Sequence, residues 1–137
     1  MSAESEEKRS AISTVGLFGK YGDKSVGEII RQLSEFLAAR GLNVMIEQAT
    51  AELMQQPPNE AYLLNDIGKR ADLAIVVGGD GTMLNVARNL ANFRVPLIGV
   101  NLGRLGFLTD IPRDEMFDGL TRVLAGEFRT EECLLLH

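Results

Sequence analysis

The sequence has very few of the residues that form disulfides and histidine–cysteine metal sites. Its 137 residues include one cysteine, Cys133, and one histidine. This composition excludes a disulfide within the chain and a zinc site built from histidine and cysteine ligands. A single cysteine favours a reducing compartment, so we expect a cytoplasmic protein. No metal site is predicted from protein ligands alone, but a metal shared by carboxylates and substrate phosphates is compatible with this composition.

The chain also lacks a long apolar run and an excess of positive charge. No stretch approaches the roughly 18 apolar residues that a membrane-spanning helix needs, so we expect no membrane partner. Residues 1–10 are polar and have no apolar signal core, and we interpret them as a flexible tail. The net charge of −5 argues against a nucleic-acid partner. It leaves room for a nucleotide bound by backbone amides.

What the sequence does contain is an alternation of apolar strands with amphipathic helices. Residues 13–18 and 42–46 predict two strands. The helix between them is predicted to begin with a capping box formed by Ser25 and Glu28, and to end at Gly41. A strand, a helix and a second strand in this order form a βαβ unit, whose strands are parallel.

The rest of the chain continues this alternation. Residues 73–77 are continuously apolar, as expected of a strand buried on both faces, and residues 95–100 predict another strand. Further helices are predicted from apolar residues at helical spacing, over 60–69, 83–90 and 114–125. We therefore predict an α/β domain over residues 11–128, with four or five strands in an open, mostly parallel sheet and helices on both faces.

The most informative stretch is GGDGT, residues 78–82, which follows the third predicted strand. Its glycines allow positive φ and a close ligand, and the next helix offers its amides to a phosphate. Thr82 is a candidate for capping that helix or touching the ligand. Asp80 would repel a phosphate unless it acted as a base, an acceptor or a metal partner, which suggests phosphoryl transfer. The alternative is that an Asp-Gly pair is only a cap and a turn.

A second glycine-rich stretch, GVNLGRLGFLTD at residues 99–110, follows the fourth predicted strand. Asn101 is placed to contact a polar ligand edge. Phe107 and Leu108 either line an apolar pocket for a flat ring or belong to the core. Because ligands bind beyond the carboxyl ends of parallel strands, both stretches are expected at the same functional edge.

Together these motifs resemble the N-terminal part of bacterial NAD kinases. The resemblance rests on GGDGT at 78–82, Met-Leu at 83–84, Ala-Arg at 87–88 and the stretch at 99–110, and it extends over about residues 12–137. GGDGT alone also occurs in diacylglycerol and sphingoid lipid kinases, and a close variant occurs in phosphofructokinases. The second stretch favours NAD kinases over these families.

The resemblance implies transfer of the γ-phosphoryl group of ATP, or of polyphosphate in some members, to the 2′-hydroxyl of the adenosine ribose of NAD. It implies that Asp80 is the general base, that Mg²⁺ or another divalent metal accompanies ATP, and that the protein forms a homodimer or homotetramer. The positions implied in nucleotide binding are Gly79, Gly81, Thr82, Asn101, Phe107 and Leu108.

The chain departs from the family pattern at its carboxyl end. Family members have a second, β-rich domain with an Asn-Glu pair and a glycine/threonine-rich segment, and neither motif occurs here. We expect residues 129–137 to begin that domain, and the chain alone to have little or no kinase activity.

Two other functions are compatible with the glycine-rich stretches: a lipid kinase domain of the diacylglycerol type, and a non-catalytic nucleotide-binding module. The sequence also leaves open whether four basic side chains touch phosphate or face solvent. These are Arg31, Lys69, Arg70 and Arg88.

Overall fold

The computed structural model describes residues 12–19, 24–101, 111–112 and 116–125. The described strands are β1 (Thr14–Gly19), β2 (Asn43–Ile46), β3 (Leu73–Gly78), β4 (Leu97–Asn101) and β5 (Ile111–Pro112). They form one sheet in the order β2-β1-β3-β4-β5, and every neighbouring pair is parallel. The segments 1–10 and 129–137 lie outside the described residues, so their assignments as a tail and as the start of a further domain stay predictions.

Helices connect these strands. The described α-helices are α1 (Lys24–Ala39), α2 (Gln48–Ala51), α3 (Leu64–Arg70), α4 (Asp80–Leu90) and α5 (Met116–Leu124). A 3₁₀ turn, Ala91–Phe93, follows α4. The predicted open parallel sheet with helices is confirmed. Within the described ranges, no helix is both long and apolar enough to cross a membrane.

The helices cover both faces of the sheet. Strand β3 shows this most clearly, because all six of its residues are buried. Ile75 and Val77 belong to the core cluster that contains side chains of α1 and α5, whereas Ala74 and Val76 belong to the cluster that contains side chains of α3 and α4. This two-sided burial explains why the sequence of β3 is continuously apolar rather than alternating.

The strand order places a reversal of direction at the centre of the sheet. From β1 the chain passes outward through α1 to β2, and then returns across β1 to β3. Parallel α/β sheets bind ligands beyond the carboxyl ends of their strands, where the order reverses in this way. The carboxyl ends that flank the reversal are Gly19 of β1 and Gly78 of β3.

The prediction for α1 is confirmed at its carboxyl end and wrong at its amino end. Gly41 ends the helix as predicted, with φ of +81° and hydrogen bonds from the amides of Gly41 and Leu42 to the carbonyls of Ala38 and Leu37. This is a Schellman motif, which favours glycine at the left-handed position. The predicted N-cap is wrong, because α1 begins at Lys24 and therefore contains Ser25 in its first turn.

Helix α3 begins at Leu64, later than the predicted residue 60. The helix starts late because hydrogen bonds to a distant part of the chain hold Tyr62 in an extended conformation beside the end of β2. Its amide donates to the carbonyl of Ile46 at 2.9 Å, and its carbonyl accepts from the amide of Gln48 at 2.8 Å. These long-range hydrogen bonds leave no helical turn before residue 64.

The predicted apolar stripe of α4 was wrong for one residue. Leu84 is 40% exposed, although Met83, Val86 and Leu90 are buried as predicted. Leu84 lies one helical turn after Asp80, which is also exposed. The buried face of α4 is therefore narrower than its apolar composition suggests.

Candidate functional site

The junction between β3 and α4 is a single residue, Gly79. Strand β3 ends at Gly78 and α4 begins at Asp80, with Gly79 as the N-cap in an extended conformation. Within the described residues no side chain caps this end of the helix, so the predicted cap by Thr82 is wrong. Thr82 lies in the first turn of α4. The uncapped amides of a helix N-terminus carry about half a unit of positive charge and favour an anion.

The glycines at this junction differ in why the chain needs them. Gly78 has φ of +158°, and a Cβ atom placed on it would lie 3.0 Å from the Thr82 hydroxyl oxygen. Of the glycines in this stretch, which allow a positive φ, only Gly78 has one. A Cβ atom on Gly79 or Gly81 meets no described atom within 4 Å. The described fold does not require these two glycines, whereas a ligand approaching the backbone would.

Beside this junction lies a cleft of about 380 Å³. Pockets that bind small molecules fall at about 300–1,000 Å³, so the volume suits a ligand of nucleoside size. The cleft lies at the reversal of strand order, between the end of β1, the segment after β2, and the start of α4. Its described lining residues are Phe18, Gly19, Glu47, Ala49, Leu64, Gly81, Thr82, Asn85 and Val86. We call it the switch-point cleft.

A hydrogen-bond network fixes one wall of the switch-point cleft. Glu47 Oε1 accepts from the Thr50 amide at 3.1 Å and from its hydroxyl at 2.8 Å. The Thr50 hydroxyl oxygen accepts in turn from the Gly19 amide at 2.9 Å. Thr50 is fully buried. The network therefore joins the end of β1 to the segment that follows β2, and holds the Glu47 carboxylate at the cleft.

Comparison with known proteins identifies the family. A family profile described as the ATP-NAD kinase N-terminal domain matches residues 15–128. The chain belongs to the NAD kinase family. The predicted family resemblance is therefore confirmed, and the glycine-rich junction described above lies within the matched range.

Individual NAD kinases align with most of this chain. The NAD kinase of Nitrosococcus oceani is 48% identical over 122 residues, which cover 89% of this chain and 42% of that protein. The NAD kinase of Nitrosospira multiformis is 44% identical over 128 residues, covering 93% and 44%. That of Aromatoleum aromaticum is 49% identical over 123 residues, covering 89% and 41%. The chain thus spans less than half the length of these relatives.

In this NAD kinase domain, Asp80 lies apart from the switch-point cleft. Its carboxylate is exposed, and it is not among the described residues that line the cleft. Gly81 and Thr82 line the cleft instead, on a different side of the first turn of α4. The junction therefore presents two flanks, one with the cleft and one with the exposed carboxylate.

The second glycine-rich stretch begins beside the first, as predicted. In the pairing of β3 with β4, Gly78 lies opposite Asn101, so both stretches leave the sheet at the same edge. Phe107 and Leu108 lie outside the described residues, and their predicted contacts with a flat ring stay predictions.

The basic residues left open by the sequence lie away from the switch-point cleft. Arg31 forms ion pairs with Glu28 and Glu35 on α1. Lys69 and Arg70 are exposed in the last turn of α3, and Arg88 is exposed in the last turn of α4. None of these four side chains is among the described residues that line the cleft.

The described residues hold no ready-made metal centre. Among them, no group of three or more His, Cys, Asp or Glu side chains lies close enough together to hold a metal ion. Mg²⁺ is usually held by one or two carboxylates together with substrate phosphates. The exposed Asp80 carboxylate at the start of α4 is compatible with such a shared arrangement.

Of the described residues that line the switch-point cleft, sequence reasoning named only Gly81 and Thr82, and the larger or polar side chains that it missed include Phe18, Glu47 and Asn85. A signal for Glu47 exists, because it directly follows β2 and so belongs to the carboxyl edge of the sheet. Asn85 lies one turn after Gly81 on α4, so helical spacing places it beside the glycine-rich stretch. Phe18 gives no such signal, since its apolar side chain is typical of a core strand.

Proposed function

We propose that this chain is the nucleotide-binding part of an NAD kinase. The reaction transfers the γ-phosphoryl group of ATP, or of polyphosphate, to the 2′-hydroxyl of the adenosine ribose of NAD and yields NADP. The observation that carries the proposal is an exposed carboxylate, Asp80, between two glycines that leave the backbone open at the start of α4. Family membership over residues 15–128 supports it.

The open junction supplies a site for the transferred phosphoryl group. Backbone amides at the start of α4 would donate hydrogen bonds to phosphate oxygens, and Gly79 and Gly81 let these oxygens approach closely. Because the amides are fixed by the helix, they need no reorganisation as charge develops on the phosphoryl oxygens. Positioning and charge stabilisation supply most of the acceleration in phosphoryl transfer.

Asp80 would serve as the general base. A ribose hydroxyl is a weak nucleophile at neutral pH, and a carboxylate within hydrogen-bond reach removes its proton as the new bond to phosphorus forms. The exposure of Asp80 leaves its carboxylate free to meet an acceptor hydroxyl. Mg²⁺ brought by the nucleotide would neutralise charge on the phosphates.

The acceptor NAD would lie on the β4 side of the junction. Asn101 ends β4 opposite Gly78, and the stretch that follows it contains Phe107 and Leu108. We propose that these three residues contact NAD. We also propose that the complete enzyme is a homodimer or homotetramer. Residues 1–137 alone should form little or no NADP, because more than half of a relative such as the NAD kinase of Nitrosococcus oceani lies outside the region that matches this chain.

The test is Asp80→Asn in the protein that the natural gene encodes. We expect the rate of NADP formation from NAD and ATP to fall by about 10²–10⁴-fold, the usual contribution of a general base. ATP affinity should change little. The matched control is Asp66→Asn, which removes an exposed aspartate from the first turn of α3 and should leave the rate unchanged.

The same assay separates the alternatives. A non-catalytic nucleotide-binding module would bind ATP equally well before and after Asp80→Asn and would form no NADP in either case. A lipid kinase would phosphorylate diacylglycerol instead of NAD, but the family comparison favours NAD kinase. NADP formation by residues 1–137 alone would contradict the proposed dependence on a further domain.

A further inference from the structure

Phosphoryl transfer needs room for a donor as well as an acceptor, and the junction at α4 has two flanks. The acceptor is proposed on the β4 side, next to the second glycine-rich stretch. The switch-point cleft lies on the opposite side, against the ends of β1 and β2. This inference rests on the proposed function, and it concerns what occupies that second flank.

The described lining of the switch-point cleft combines the amino end of a helix, an apolar surface and a single carboxylate. Gly81 and Thr82 bring the start of α4 to one end, where a phosphate would bind. Phe18, Leu64 and Val86 supply apolar surface. Among the described lining residues the only charged side chain is Glu47, and none is basic. A carboxylate repels phosphate and accepts hydrogen bonds from hydroxyl groups, so its end of the cleft suits an uncharged, hydroxyl-bearing group.

Glu47 is held in a fixed position by its own hydrogen bonds. Its Oε1 atom accepts from both the amide and the hydroxyl of Thr50, at 3.1 and 2.8 Å. Thr50 is buried and is tied to the end of β1 through the Gly19 amide. A carboxylate has two oxygens with about four acceptor positions, so capacity remains after these bonds. The fixed orientation lowers the entropy cost of binding a ligand there.

Capping alone does not explain a glutamate at this position. Glu47 is the N-cap of α2, a helix of four residues. Asn, Asp, Ser and Thr are the preferred N-cap residues, because their short side chains reach the helix amides directly. A glutamate that caps the helix with one carboxylate oxygen while it lines a cleft has a second oxygen available to accept a hydrogen bond from a ligand. Glu47 also follows β2 at the carboxyl edge of the sheet.

We propose that Glu47 binds the ribose of the nucleoside triphosphate donor. The ribose hydroxyls donate hydrogen bonds to the Glu47 carboxylate, the base lies against the apolar wall, and the phosphates run toward the start of α4. Glu47 is then a specificity-determining residue. It favours a nucleotide donor over inorganic polyphosphate, which has no hydroxyl to donate and is repelled by the carboxylate.

The first test is Glu47→Gln in the protein that the natural gene encodes, with binding measured by calorimetry. The amide oxygen of glutamine still accepts from Thr50, so the cap is retained. We expect affinity for a non-hydrolysable ATP analogue to fall about tenfold, the usual effect of losing a hydrogen bond to a charged group. Affinity for inorganic tripolyphosphate should stay the same or rise. Glu52→Gln, an exposed glutamate just after the same helix, is the matched control and should change neither affinity.

An equal loss of affinity for the ATP analogue and for tripolyphosphate would show that Glu47 has only a structural role. An unchanged affinity for the ATP analogue would overturn the proposal directly. A wild-type protein that binds no ATP analogue at millimolar concentration would overturn it as well.

A second test needs no substitution and so remains valid if Glu47→Gln unfolds the chain. On the wild-type protein, 2′,3′-dideoxy-ATP should bind about tenfold more weakly than ATP, because its ribose donates no hydroxyl. Equal binding would contradict ribose recognition. These measurements do not depend on Asp80. If Asp80→Asn leaves NADP formation unchanged, the proposed base is wrong, but the proposed donor site is unaffected.

Discussion

Two groups of glycines in this domain have opposite surroundings. One group is packed, because a Cβ atom on any of its members would come within 2.2–2.5 Å of a neighbouring atom. Its members are Gly16, Gly19, Gly27 and Gly68. The second group is open, because a Cβ atom on Gly79 or Gly81 meets no described atom within 4 Å.

The difference separates what the fold requires from what the ligand requires. At a packed glycine, a neighbouring side chain or, at Gly27, the backbone of Leu53 lies so close that a methyl group would displace it. At an open glycine the described chain has room for a side chain, yet the position lies at the uncapped start of α4. We infer that the packed glycines maintain stability and that the open glycines maintain binding.

The largest expected effect on stability is that of Gly27→Ala. A Cβ atom at this position would lie 2.2 Å from the carbonyl oxygen of Leu53, so the backbone after α2 must move. We expect a loss of about 2 kcal/mol in the free energy of unfolding, even though alanine favours a helix. Urea denaturation measures this change. A variant as stable as wild type would show that Gly27 does not belong to the packed group.

The opposite result is expected for Gly81→Ala. The methyl group enters open space in the first turn of α4, so stability should stay the same or rise by up to about 1 kcal/mol. Affinity for ATP should fall at least tenfold, because the methyl group occupies the path of the phosphate oxygens. Calorimetry and urea denaturation on one preparation give both values. Unchanged ATP affinity would contradict the distinction between the two groups.

The smallest effect is expected at the surface of α1, next to Gly27. Hydrogen bonds from Arg31 lower the pKa of Glu28 below its ordinary value of 4.5. The resulting stability is present at neutral pH and is lost as the pH falls below 4.5, because the carboxylate must then be protonated. Glu28→Gln should therefore lower the urea midpoint slightly at neutral pH and not at all in strong acid. An effect as large as that of Gly27→Ala would mean that surface charges, rather than close packing, hold α1.

The sequence predicted those parts of the molecule that depend on local pattern. The buried run of β3, the left-handed end of α1 at Gly41 and the position of both glycine-rich stretches at one edge all follow from short segments. The parts it missed depend on distant partners. The late start of α3 depends on the pairing of Tyr62 with β2, and the role of Gly27 depends on Leu53.

The residues of the candidate site also differ in whether a local motif or a distant partner determines their position. Gly79, Asp80 and Gly81 were predictable, because a glycine-rich turn between a strand and a helix is a recognisable local motif. Glu47 was not singled out, since its position depends on the buried Thr50 and on the amide of Gly19, which lies 31 residues from Thr50. A single glutamate after a short strand carries no pattern of its own.

The central claim is that the open junction at α4 and the switch-point cleft together bind a nucleotide donor. Amide chemical-shift mapping by NMR, with a non-hydrolysable ATP analogue and Mg²⁺ added to the ¹⁵N-labelled chain, tests it most directly. The account predicts that the largest shifts fall at Gly79, Gly81 and Thr82, followed by Gly19 and Glu47. Large shifts confined to the distant surface around Arg31, or no shifts at all, would contradict it.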